Sequence, residues 1–262
     1  MLLGSLNGDI APVEELRIPV TDEGLVRGDG VFEVVRLYGG VPFALEDHYA
    51  RIRRSAERSR LPLDLDALRT EVDVLLERTG PLDAALRIMC TRGERRIALI
   101  EQMPSFPDTV ALATVTYAPT RVLDGVKTLS YGANMLCTRI ARERGAFEAL
   151  LVTPHGRVLE APTSSFFYVL DDRLITPPLE DHILESITRR WIVALHDVEE
   201  RPTTMDDVRG ASEAFIASTF KEALPVHAVD DVELSAPGRA GPVTREVAAR
   251  LGEHIAAEVA AA

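Results

Sequence analysis

Only two lysines, Lys127 and Lys221, stand among the 29 basic residues of this 262-residue chain. Chemistry that needs a titratable amine therefore has two candidates. Lys127 sits in an apolar stretch, Val126 to Leu129, that predicts a strand. Two readings fit it: a solvated surface residue, or, as the apolar flanks suggest, a buried amine whose pKa is depressed by burial, as a Schiff-base lysine requires. Glu160 precedes Ala161-Pro162-Thr163-Ser164-Ser165, a run rich in hydroxyls and backbone donors that is equally a plain loop. Ser186-Ile187-Thr188-Arg189 opens a predicted helix. A helix N-terminus suits a phosphate, and Ser186 also serves there as an ordinary cap. Ser218-Thr219 ends an apolar strand, a second place where a hydroxyl and an amide could meet a phosphate. Gly28-Asp29-Gly30 lacks the third glycine and the helix of a dinucleotide site, and reads as a tight turn. There is no His-Glu-x-x-His, Cys-x-x-Cys, Walker loop or Gly-x-Ser-x-Gly. That removes the readings as metalloprotease, nucleotide hydrolase and serine hydrolase, and no metal is expected.

These residues need elements to hold them. Val31–Tyr38, then Gly39-Gly40, then Val41–Leu45 reads as a β-hairpin. Glu46–Arg60 reads as a helix, with His48, Ile52 and Ala56 recurring on one face. Asp64 caps a second helix carrying Leu68, Val72, Leu75 and Leu76. Strands are expected at 84–91 and 110–117. Pro119-Thr120-Arg121 opens a linker. Beyond it, a helix is expected from Tyr131 to Arg144, closed by Gly145. Short strands follow at 150–152, 166–170 and 174–175, then a helix from Ile187 to His196, a buried strand at 215–217 and a terminal helix from Pro242 to Ala261. The pattern predicts a two-domain α/β protein. Residues 1–118 form a small N-terminal domain, 119–125 a linker and 126–262 a larger C-terminal domain.

Composition sets the outer bounds. Hydrophobic residues make up 46% of the chain and charged residues 27%, enough for a real core. A net charge of −12 argues against nucleic acid or an anionic membrane as partner. No apolar run approaches the ~20 residues of a membrane span. Met1-Leu2-Leu3-Gly4 has no basic segment ahead of it, so no secretory signal is expected. Two cysteines, Cys90 and Cys137, are too few for a disulfide framework, and a cytoplasmic setting is the default.

Taken in order, several stretches resemble the fold-type IV pyridoxal-phosphate enzymes. They are Arg27–Glu33, His48-x-x-Arg51, Thr91-Arg92-Gly93, Val126–Tyr131, Glu160 with its Ser/Thr run, Ile187-Thr188-Arg189, Ser218-Thr219-x-x-Glu222 and Gly241–Thr244. The resemblance spans about Asn7 to Thr244. It implies two α/β domains with pyridoxal 5′-phosphate between them, and a homodimer. Carried over residue by residue, it gives Lys127 the Schiff base and the proton shuttle. Glu160 accepts the pyridine N–H, which keeps the ring an electron sink. Tyr131 bonds the phenolic oxygen, and Arg51 holds the phosphate with Ile187, Thr188, Ser218 and Thr219. Ser165 also falls among the cofactor contacts. Phe32, Arg95, Arg96 and Phe220 fall to the substrate. Lys221 matches a variable position and reads as peripheral. Three departures stand out: Ala161 and Ser165 replace a usual Gly and Asn after Glu160, Ser186 replaces a Gly, and Phe32 stands where several relatives have Tyr.

The resemblance implies transfer of an amino group from an amino acid (branched-chain L- or D-amino acid) or an amine to a 2-oxo acid. The alternative on the same cofactor is the aminodeoxychorismate lyase reaction, which eliminates pyruvate. Tyr131 leans to the branched-chain branch, and Arg95 or Arg96 after Thr91-Arg92-Gly93 leans to the D-amino-acid branch, unless the two arginines are simply a charged hairpin tip. A third reading, a scaffold without catalysis, conflicts with the presence of both Lys127 and Glu160.

Overall fold

The computed structural model describes residues 2–261. Contacts divide the chain into two compact units. The first holds the residues up to Pro104, Val126–Tyr131 and those from Ile255 on; the second holds Ser105–Gly125 and Gly132–His254. Sequence alone assigned Val126–Tyr131 to the C-terminal part, whereas its backbone bonds join it to a strand of the first unit.

In the first unit the elements are β1 (Leu3–Leu6), β2 (Asp9–Pro12), α1 (Glu23–Arg27), β3 (Gly30–Tyr38), β4 (Val41–Pro42), α2 (Leu45–Arg58), α3 (Leu65–Thr79), β5 (Ala84–Thr91) and β6 (Arg95–Glu101). The strands form an antiparallel sheet in the order β2-β1-β6-β5-β3-β4. Gly39 and Gly40, both at positive φ, make the tight turn between β3 and β4. The second arm of this hairpin is shorter than expected. Pro42 cannot donate to a ladder and Ala44 turns the chain at φ 53°, so α2 begins at Leu45. On α2 the residues His48, Tyr49, Arg51, Ile52, Ser55 and Ala56 are buried, the i, i+3, i+4, i+7 stripe of a helix lying on a sheet. Helix α3 is capped as expected, the Asp64 carboxylate accepting from Ala67 N at 3.0 Å. Arg95 and Arg96 open β6, paired with Thr91 and Cys90, so the hairpin tip is Arg92-Gly93-Glu94.

The second unit contains β7 (Val110–Thr116), α4 (Gly132–Glu143), β8 (Glu148–Val152), β9 (Arg157–Val158), β10 (Ser165–Leu170), β11 (Arg173–Thr176), α5 (Ile187–Leu195), β12 (Val198–Glu200), β13 (Thr203–Thr204), α6 (Met205–Gly210), β14 (Glu213–Ser218), β15 (Glu222–Val229), β16 (Val232–Glu233) and α7 (Pro242–Ala261). Its sheet runs β12-β11-β10-β14-β15-β7-β8-β9-β13, with β16 beside β15. The β7–β8 and β7–β15 pairs are parallel, and β14–β15 is a hairpin. Strands β10 and β14 are continuous apolar runs because both faces are covered. Phe166, Tyr168, Ile216, Leu150 and Val226 build the main core. Ala113, Cys137, Ala141, Leu151 and Ile183 build a second one. Among the described residues no helix is long and apolar enough to cross a membrane.

The strand expected at Val126–Leu129 is an extended segment with a single bridge, Val31 to Thr128. Lys127 O accepts from Phe32 N at 3.0 Å and Leu129 N donates to Gly30 O at 2.9 Å. Gly30 is what admits it. A Cβ there would lie 2.5 Å from both Cys90 O and the Leu129 side chain. Gly30→Ala is therefore expected to cost about 1–3 kcal/mol of stability, the scale of overpacking, as read by denaturant unfolding.

Candidate active site

In the first unit, β3 presents successive side chains to opposite faces. Phe32 faces the Lys127 segment. The Lys127 ammonium lies 4.4 Å from the centre of the Phe32 ring, a cation–π contact. Tyr131 meets the same ring edge-on, centroids 5.4 Å apart at 82°. Lys127 is half-buried, and its backbone N–H donates to Ser55 Oγ on α2 at 3.1 Å. The structure thus gathers three of the sequence candidates, Phe32, Lys127 and Tyr131, around one aromatic ring.

The next residue, Glu33, points to α2 and is fully buried. Arg51 Nε and Nη2 donate to its two oxygens at 2.7 and 2.6 Å, and His48 Nδ1 lies 2.7 Å from Oε2. Burial alone would push the Glu33 carboxyl up. The Arg51 guanidinium and the His48 hydrogen bond outweigh it and hold it at about 2. Burial lowers the His48 pKa, with Arg51 and Lys127 adding to the effect and Glu33 opposing it. Beside an ionised, acceptor-only carboxylate, a neutral His48 donates from Nδ1, which fixes its tautomer. Arg51, expected at a phosphate, spends two of its five N–H donors on Glu33. Residue order alone assigns Glu33 and His48 no chemical role. The signal was there: an acid in the middle of an apolar strand, and a His and an Arg three residues apart on the buried stripe of a helix.

Arg95 and Arg96 are each held by an acid of the fold. Arg95 Nη1 donates to the buried Asp22 at 2.5 Å. Arg96 Nη2 donates to Glu71 at 2.6 Å, with Nε also in reach.

In the second unit, Glu160 follows β9, and its Oε1 accepts from Leu184 N at 3.0 Å. Ala161 and Ser164 exchange backbone bonds across a tight turn at Pro162-Thr163. Ser165 Oγ, at the start of β10, is buried without a hydrogen-bond partner among the described residues. Ser186 caps α5 through the Arg189 N–H, so its capping reading holds, and Ile187 and Thr188 are buried in the first turn. Ser218 ends β14, and Thr219 and Phe220 form the turn into β15, all half-buried. Lys221, read from sequence as peripheral, is instead 7% exposed at its side chain and paired with Glu148. Sequence could not show this, because Glu148 lies 73 residues away.

The profile of the amino-transferase class IV family matches residues 30–229. A D-alanine aminotransferase from Bacillus licheniformis is 28% identical, with 97% of both chains covered. A putative branched-chain-amino-acid aminotransferase from Methanocaldococcus jannaschii is 33% identical over 86% of this chain and 87% of that one. A hypothetical aminotransferase from Mycobacterium tuberculosis, solved in a PLP-bound form, superposes with a TM-score of 0.88 at 25% identity, covering 98% of this chain and 99% of the other. The chain belongs to amino-transferase class IV. It is a pyridoxal-phosphate-dependent aminotransferase, and these relatives favour transfer over the lyase alternative.

The residues present fit that cofactor. Lys127 offers an amine on an aromatic face, Glu160 a carboxylate already oriented by a backbone amide, and Ser165 a buried hydroxyl with no hydrogen-bond partner among the described residues.

The Glu33 cluster generates a prediction. Its carboxyl titrates near 2 in the native state against an ordinary 4.5. Its contribution is therefore complete above about pH 4.5 and is lost as the pH falls towards 2. Glu33→Gln leaves Arg51 buried without its counter-charge and is expected to cost about 3 kcal/mol at pH 7. Denaturant unfolding as a function of pH should show the gap to wild type closing between pH 4.5 and 2.

Proposed function

We propose that the enzyme moves the amino group of an α-amino acid with a small or branched apolar side chain to a 2-oxo acid. Two facts support this substrate class: the relatives named for alanine and for branched-chain amino acids, and the aromatic ring of Phe32 beside Lys127. The observation that carries the reading is the Lys127–Phe32–Tyr131 cluster.

Bound pyridoxal phosphate supplies the electron sink that lets the donor's α-proton leave. Lys127 would hold the cofactor through its ε-amine, and the same amine would take up and return the donor's α-proton. Glu160 accepts the ring N–H. Tyr131 donates to the phenolic oxygen. Arg51, Ser165, the Ile187 and Thr188 amides, Ser218 and Thr219 hold the phosphate end. Phe32 and Phe220 flank the side chain of the substrate. Arg95 or Arg96 meets the substrate's carboxylate by exchanging Asp22 or Glu71 for it.

The enzyme is further proposed to act as a homodimer in the cytoplasm. Val20, Leu25 and Val26 are exposed apolar residues of the first unit that a second copy would cover, and both cysteines are free. Light scattering of the loaded protein should give twice the chain mass; a monomer would contradict this.

The activity test is to supply D-alanine, L-leucine or 4-amino-4-deoxychorismate with 2-oxoglutarate and to quantify products. The expected result is a 2-oxo acid and glutamate in equal amounts from at least one amino acid. Pyruvate from aminodeoxychorismate without glutamate would contradict it. Lys127→Ala is expected to lower the rate by at least about 10²-fold, the scale of a lost proton carrier, with Tm near that of wild type.

A further inference from the structure

Lys221 and Glu148 form a buried ion pair in the second unit, joined at its edge by the exposed Thr163. Lys221 Nζ donates to Glu148 Oε2 at 2.8 Å, Thr163 Oγ1 at 2.7 Å and Ser164 Oγ at 2.7 Å. Three acceptors use all three N–H donors of an ammonium. The other oxygen of Glu148 accepts from the Thr163 backbone N–H at 2.9 Å and its hydroxyl at 2.6 Å. The rings of Phe106 and Phe147 lie 6.0 and 5.9 Å from Nζ and help to exclude water. A buried pair of this kind contributes little net stability when set against apolar residues, but it fixes geometry when every donor is satisfied.

What it fixes is two turns. Thr163 and Ser164 lie in the tight turn that separates Glu160 from Ser165, closed by the Ala161–Ser164 backbone bonds. Lys221 itself lies in the β14–β15 turn, its N–H donating to Ser218 Oγ at 3.3 Å. One ammonium thus ties the turn that follows Glu160 to the turn that follows Ser218 and holds Thr219. The Glu160 turn is also where this chain lacks the Gly and Asn of its family's pattern.

We propose that Lys221, with Glu148, is a positioning residue for pyridoxal phosphate. The pair sets the spacing between the turn that meets the ring nitrogen and the turn that meets the phosphate. This rests on the cofactor contacts proposed above. Lys221 touches no reacting atom in this role, and with all its donors engaged it does not replace Lys127 as the reacting amine.

The test compares wild type with Lys221→Met and with the double variant Lys221→Met/Glu148→Gln. The double variant removes both charges and keeps an amide oxygen for Thr163, so its Tm is expected to return towards that of wild type, whereas Lys221→Met alone strands a buried carboxylate and lowers Tm. Two dissociation constants are read for each protein: pyridoxal phosphate, and 4′-deoxypyridoxine 5′-phosphate, which has no aldehyde and so reports the ring and phosphate contacts without Lys127. In the double variant both are expected to rise by about tenfold or more, the scale of one lost charge-assisted contact. Values within about twofold of wild type for both compounds, less than the effect of one ordinary hydrogen bond, would overturn the positioning role whatever the Tm. A wild-type chain that binds neither compound would overturn the cofactor contacts beneath it, and the role of Lys221 with them. A wild type that binds both, beside a double variant that matches it, overturns Lys221 alone.

Discussion

A buried carboxylate organises the first unit. Glu33 has no access to water, and Arg51 and His48 make its charge tolerable there. That requirement sets how β3 meets α2. The strand must present Glu33 where the helix presents residues 48 and 51, and the strand's alternation then sends Phe32 to the other face. The same helix, one turn beyond Arg51, supplies Ser55 to the Lys127 backbone. Phe32 N–H and Gly30 O hold the same segment from the strand side. Lys127 is therefore not on a free loop. Its backbone is fixed by two elements that are themselves locked together by one ion pair, the kind of support that holds a reactive group in a productive position.

The second unit repeats the device with other residues. Glu148 is buried on β8 and neutralised by Lys221 from the β14–β15 turn. In both units a carboxylate on a strand recruits a cation from another element, and the residues assigned to the cofactor are neighbours of that pair. These pairs cost desolvation, and apolar residues would fill the space at least as stably. Their physical value lies in specifying geometry, which catalysis needs to within fractions of an ångström.

Much of this was legible in the sequence, for definable reasons. Helices α2, α3, α5 and α7 announce themselves by periodicity, by caps at Asp64 and Ser186 and by Pro242 at the first helical position, all of them local signals. The Gly39-Gly40 hairpin is equally local. Strands β1, β2 and β6 were not read, because they are short or charged and take their identity from neighbours in the sheet. The segment around Lys127 looked like a strand because it is apolar, yet it makes a single bridge, since only the tight fit at Gly30 and Leu129 decides its pairing. Lys127 and Glu160 stood out by residue type and order. Glu33, His48 and Arg51 left a local trace, an acid in an apolar strand and a His and an Arg on one helix face, but the partner of Lys221 left none, since it lies 73 residues away.

The central claim is that Lys127, of the two lysines, carries the cofactor. It is tested most directly by reducing the pyridoxal-phosphate-loaded protein with borohydride, digesting it and locating the phosphopyridoxyl group by mass spectrometry. The account predicts one modified lysine, Lys127, with Lys221 unlabelled. Label on Lys221, or an unlabelled Lys127 in a protein that has taken up the cofactor, would contradict it.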